Sequence, residues 1–347
     1  MTVAFYMNCV STHQLPLAKE VTALVGRENF GYVYEGESDQ AYQRVADVGD
    51  VEVKVKGEGE QRIEESDLLL SGLRDLELFD RRAAKGLRTF YTSERWFKPP
   101  LGRFRMFVPS YRRMVKRFVS WVNGDPGGRV LAIGPWAKKD FLWMGVREEK
   151  IVDWGYFVAP SGSGIVVESG SGTAEDKISK STVQLHTSTR TLKVLWAGRD
   201  LALKRVKDIE RAVALANWQL GDGRCGSVAG TRASPLPMLF TKLTGVSPAE
   251  VREAMRTHDV FVLASNGYEG WGAVVSEALE EGMNVIGTLE CGSCPMLLPE
   301  ERLYHCGDVR ALAKLLVKEY NNELPSCSIG DWTAAQAAEK LVKLVES

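Results

Sequence analysis

Short apolar runs alternate with stretches of helical periodicity through both halves of the chain, and parallel strands joined by crossover helices satisfy such an alternation. In the first half the strand candidates are residues 3–7, 30–34, 51–55, 68–70, 89–92 and 130–133. The second half offers 192–197, 260–264 and 284–288, with helical patterns over 206–216, 248–255 (Ser247 at its N-cap position) and 309–320. Residues 159–190 break the pattern with Gly/Ser/Thr-rich runs, as a linker or long surface loop does. At 347 residues the chain has room for about two domains. They are expected at 1–158 and 191–325, with a last amphipathic helix inside 326–347 that can pack back on the first domain.

Composition excludes several classes. Lys and Arg number 44 and Asp and Glu 45, so the chain as a whole is neither a polycationic nucleic-acid binder nor an acidic tail. That balance conceals a local excess. Residues 81–117 hold twelve cations against one anion, Glu94, a net +11 that leaves the remainder at −12. Trp96, Phe97, Phe104, Phe107, Tyr111 and Phe118 are interleaved with the cations. Such a segment reads as a surface for anionic lipid, a groove for an anionic glycan, or a solvated face. It contains no reading helix or RNP-type motif, so nucleic acid is not expected as a partner. No run approaches the roughly 20 apolar residues of a bilayer span, and the first residues lack the cationic start of a signal peptide. Six scattered cysteines suit a reducing compartment, so a cytoplasmic protein is expected. Cys291-Gly-Ser-Cys294 is a lone C-x-x-C, read as two small residues in a glycine-rich turn. The chain has no D-x-D pair, no P-loop and no H-E-x-x-H, and its four histidines are dispersed, so neither a metal nor another cofactor is expected.

The segment richest in chemistry runs from Val260 to Thr288. A buried strand ends near Ala264, a loop containing Glu269-Gly270-Trp271-Gly272 follows, and a helix starts near Gly272 and stops at Gly282 before the next strand. Glycines permit close approach of a ligand to the backbone, and the free N–H groups of a new helix attract phosphate. Such a loop lies at the carboxyl end of a parallel strand, where open α/β sheets bind ligands. Glu277, in the helix, is placed to accept hydrogen bonds from a vicinal diol; alone it would read as a helix former complementing the N-terminal dipole. A second signal is the strand 192–197 followed by Gly198-Arg199 and Lys204, two cations that can neutralise a diphosphate or decorate an exposed turn.

Together, Gly198-Arg199…Lys204 and Glu269-Gly-Trp-Gly-x-x-x-x-Glu277-Ala…Gly282 resemble the donor-binding signature of retaining glycosyltransferases of family 4, also called group 1. The resemblance implies the GT-B fold, two Rossmann-like α/β domains whose parallel sheets face a central cleft. It further implies that Glu277 binds the nucleotide ribose and that Glu269 contacts the transferred sugar. Arg199 and Lys204 would hold the diphosphate without an obligatory metal, and Gly198, Gly270, Trp271, Gly272, Ala273 and Val274 would shape the donor site. The likeness covers roughly 190–320 and departs from the common pattern at Arg205, where glycine often follows the lysine, and at Asn284, where proline is common.

The first half resembles the family more loosely. His13 and Gln14 lie in the loop after the first strand, and Glu94 and Arg95 at another strand end; these four are expected at the acceptor. His13 serves equally well as a cap or packing residue. The expected partners are a nucleotide-diphospho-sugar donor and a glycan or lipid-linked acceptor, with base selection in the loops 223–247. The competing readings are a GT-B sugar-nucleotide epimerase or hydrolase, and a nucleotide-sugar-binding protein without turnover.

Overall fold

The computed structural model describes residues 1–36, 48–159, 190–199, 201–221 and 236–346. Most of the expected connection 159–190, and residues 223–235 of the base-selecting loops, lie outside the described residues.

Two parallel sheets form. The first contains β1 (Val3–Met7), β2 (Phe30–Tyr34), β3 (Val53–Val55), β4 (Leu68–Ser71), β5 (Arg88–Ser93), β6 (Gly128–Ile133) and β7 (Ile151–Trp154) in the spatial order β3-β2-β1-β4-β5-β6-β7. The second contains β8 (Leu192–Ala197), β9 (Met238–Leu243), β10 (Val260–Leu263), β11 (Asn284–Thr288) and β12 (Leu303–Tyr304) in the order β12-β11-β10-β8-β9. β1 and β10 are buried at every position, as strands covered by helices on both faces must be. Sequence reading expected six and three strands. It missed β7, β9 and β12, each at an edge of its sheet and therefore free to carry polar residues.

Strand order reverses between β1 and β4 in the first sheet and between β8 and β10 in the second. These switch points open crevices at the carboxyl ends of the strands. The loops leaving β1, β8 and β10 therefore line the natural ligand positions of their sheets.

Local signals set the helices. Pro248–Thr257 starts with a complete capping box, Ser247 and Glu250 each accepting from the other's backbone N–H. Ala273–Glu280 ends at Gly282, whose φ of +74° suits the left-handed position after a helix. Helix Ala334–Glu346 leaves the second domain and joins the core of the first, where Ala337, Ala338 and Leu341 pack in one cluster with Leu15, Ala18 and Val21.

Candidate functional site

The loops at the two switch points meet across a cavity of about 420 Å³. From the first domain it is lined by Asn8, Cys9, Ser11, His13, Gln14, Glu94 and Tyr156, and from the second by Arg199, Glu269, Gly272 and Ala273.

On the second domain, the turn Ala202–Lys204 is tied to the loop after β10 by the Asn266 N–H, which donates to the Leu203 carbonyl at 2.9 Å. Lys204 Nζ bonds Glu269 directly, and both side chains are largely shielded from water. Arg199 stands exposed beside them. Gly272 caps Ala273–Glu280 at φ +84°; it and Ala273 line the cavity where the first helical N–H groups lack intrahelical partners. Glu277 follows one turn into this helix.

Gly272 is required by contact as well as by conformation, and Gly270 leaves room for a carboxylate from the other domain. A Cβ on Gly270 would lie 2.0 Å from Glu94 Oε2, and one on Gly272 would lie 2.6 Å from Cys291 Sγ. Cys291 and Cys294 are fully buried. The Cys291 thiol donates to the Trp271 carbonyl at 2.9 Å, the Ser293 N–H donates to the same oxygen at 2.9 Å, and Ser293 Oγ donates to the Gly272 carbonyl at 3.2 Å. The C-x-x-C thus braces the glycine loop from behind, as small residues in a tight turn. Arg205 follows Lys204 at φ +49°, the left-handed region that glycine enters without steric penalty, so the departure from the common glycine has a conformational cost. Asp208 holds its guanidinium at 2.6 Å.

On the first domain, Glu94 accepts from Lys98 Nζ at 2.6 Å and from the Tyr156 hydroxyl at 3.3 Å. His13 stacks on Tyr156, ring centroids 5.6 Å apart. Burial pushes the His13 pKa below the ordinary imidazole value, while the carboxylates of Glu277 and Glu94 pull it partly back. His13 is therefore neutral at pH 7, within electrostatic reach of one carboxylate from each domain. Gln14 is oriented by the Tyr32 hydroxyl, 2.8 Å from its Oε1.

Two expected residues are placed elsewhere. The Trp271 side chain is buried in the domain interface, against Gly155 and stacked on Trp332 at 5.7 Å, and does not line the cavity. Arg95 turns from the cavity to bridge the domains, its Nη1 donating to the Gly267 carbonyl at 3.3 Å. Val274, Gly198 and Glu277 flank the cavity without forming its wall as Gly272 does. Tyr156 went unnoticed in the sequence; the aromatic run Trp154-Gly-Tyr156-Phe157 was the available signal.

Residues 240–328, which include the glycine loop and Glu277, match the family Glycosyl transferases group 1. No curated protein matches the sequence. Solved structures match over the whole length. A lipopolysaccharide outer core galactosyltransferase, WaaB, in its apo form aligns with TM-score 0.60 at 13% identity, covering 100% of this chain and 99% of that one. Anabaena Alr3699/HepE in complex with UDP aligns with TM-score 0.59 at 14% identity, covering 100% and 98%. A UDP-forming α,α-trehalose-phosphate synthase from Burkholderia xenovorans aligns with TM-score 0.59 at 10% identity, covering 100% and 99%. The architecture is GT-B. With the matched segment in the second domain, this architecture supports a glycosyltransferase of two α/β domains.

Proposed function

We propose that the protein transfers a sugar from a nucleoside-diphospho-sugar to a hydroxyl of a glycan or lipid-linked acceptor, with retention of anomeric configuration and without a metal. The observation that carries this reading is the junction of Arg199, Glu269 with Lys204 bonded to it, and the Gly272–Ala273 helix start on one wall of a cavity whose other wall is His13, Gln14 and Glu94. The diphosphate lies at the helix start and beside Arg199 and Lys204, which stabilise the charge that develops as the glycosidic bond breaks. Glu277 accepts from the ribose hydroxyls. Glu269, already paired with a cation, is a poor nucleophile and serves instead as an acceptor for hydroxyls of the transferred sugar. The acceptor hydroxyl approaches from the first domain and gives its proton to the departing phosphate oxygen, on the face the leaving group vacates. Closure of the cleft keeps water from competing.

Neighbours crystallised with UDP and UDP-glucose make UDP the first probe. Calorimetry is expected to show UDP binding that Glu277→Ala weakens about tenfold or more, the value of a hydrogen bond to a charged group. Unchanged affinity would sink the ribose assignment. Turnover that survives chelation of divalent ions is expected, and its loss would refute the metal-free arrangement.

A further inference from the structure

The basic segment separates in space into core and surface. Arg82 is fully buried and donates to the carbonyls of Ile63, Ser66 and Arg88 at 2.7–2.8 Å, while Trp96, Phe97 and Phe118 pack in the core. What remains outside is concentrated. Leu101, Phe104, Phe107 and Val108 are 57, 71, 81 and 51% exposed, all on or beside the short helical turn Gly102–Phe107. The Phe104 and Phe107 rings stack on each other, centroids 6.1 Å apart. Single exposed apolar side chains are ordinary; four within eight residues form a patch.

Cations surround it. Residues 95–124 contain eight Lys or Arg and no Asp or Glu. The next helix, Pro109–Gly124, buries Val115, Phe118, Trp121 and Val122 and leaves Arg112, Arg113 and Lys116 exposed. Arg103, also exposed, lies over the Trp143 ring at 4.6 Å.

We infer that this turn is a membrane-docking wedge: Leu101, Phe104, Phe107 and Val108 enter the interfacial zone of a bilayer while Arg103, Arg112, Arg113 and Lys116 meet anionic headgroups. A soluble anionic glycan would pair with the cations and leave four apolar side chains in water. A second copy of the chain would bring two strongly cationic surfaces face to face. An anionic bilayer surface satisfies both halves of the patch at once. The wedge belongs to the connection that leaves the carboxyl end of β5, as does Glu94 in the cavity wall, so the docking surface and the cleft share one connection. On the transferase reading above, the acceptor is then drawn from the membrane.

The test is sedimentation of the full chain with vesicles of phosphatidylcholine, with and without phosphatidylglycerol, at low and high salt. Wild-type protein is expected to bind only vesicles containing the anionic lipid. Phe104→Ser/Phe107→Ser should weaken that binding about tenfold or more, with circular dichroism unchanged because both side chains are already in water. Arg112→Ala/Arg113→Ala/Lys116→Ala should abolish the preference for anionic lipid. Equal binding by the double serine variant, or binding to a soluble sulfated polysaccharide that competes fully with vesicles and ignores the phenylalanines, would overturn the wedge. So would a concentration-dependent dimer dissolved by the serine variant. Vesicle binding needs neither donor nor turnover. A protein that docks but binds none of UDP, GDP and ADP would refute the transfer reaction alone; one that binds a nucleoside diphosphate but not vesicles would refute the wedge alone.

Discussion

Replacing Gly272 by alanine tests the glycine loop most directly, because two separable costs fall on one atom. The residue sits at φ +84°, where a Cβ costs about 1–2 kcal/mol from its clash with the following carbonyl. The same Cβ would lie 2.6 Å from Cys291 Sγ and 3.2 Å from Leu263 Cδ2, both on fully buried side chains that cannot swing into solvent. Overpacking of this kind adds about 1–3 kcal/mol. The expected loss is therefore about 2–5 kcal/mol. At about 2–4 °C per kcal/mol for a domain of this size, the melting transition should fall by roughly 4–20 °C. Gly282 supplies the control: its φ is +74°, yet a Cβ there meets nothing within 4 Å. Gly282→Ala should carry the conformational cost alone, about 1–2 kcal/mol. Differential scanning calorimetry of both variants decides the matter. Equal shifts for the two would refute the claim that the Cys291 turn is packed against Gly272. UDP affinity should fall with Gly272→Ala and stay unchanged with Gly282→Ala.

On the proposed transfer reaction, Lys204→Ala should lower kcat about 10²–10³-fold, since it would take a fixed cation from the departing diphosphate and it leaves Glu269 without its partner; steady-state turnover measures this, and an unchanged kcat would remove Lys204 from the mechanism. His13 binds fewer protons folded than unfolded below its ordinary pKa of 6.5, so its contribution to stability is present above that pH and is lost as pH falls further, through the depressed folded value. Unfolding free energy followed from pH 8 to 5 should decline less steeply in His13→Gln, and an identical slope would contradict the burial argument. Trp332→Ala, which removes a ring stacked on both Phe157 and Trp271, should cost about 1–3 kcal/mol and expose the C-terminal helix to limited proteolysis; resistance equal to wild type would show that the stack does not hold the helix.

Local patterns of sequence foretold much of this architecture. Strands β1, β2, β8 and β11 and the helix Val309–Tyr320 begin and end where apolar runs, caps and glycines place them. The strands that were missed are edge strands: Ile151-Val-Asp-Trp carries an acid mid-strand, β9 follows Pro235-Leu-Pro and contains a lysine, and β12 has two residues. In the site, the glycine spacing and Glu269 were readable because tight backbone approach needs particular residues at particular positions. The role of Trp271 was not readable. An aromatic between two glycines looks ligand-facing, and the contacts that bury it come from Gly155 and Trp332, far away in sequence. Arg82 and Phe118 were likewise counted with a surface they do not join, since the basic run does not record which residues face inward.

The stack of Phe157, Trp332 and Trp271 has a mechanical consequence. The chain passes between the domains twice, once beyond Phe157 and once just before Ala334, and both passages are pinned against Trp271. The Arg95–Gly267 hydrogen bond ties the domains at a second place, so a rotation about the stack must break it. Trp271 is also the middle residue of Gly270-Trp271-Gly272. The stack and the glycine loop therefore share the same few residues, so a swing of one domain against the other about this stack would turn at the loop that lines the cavity.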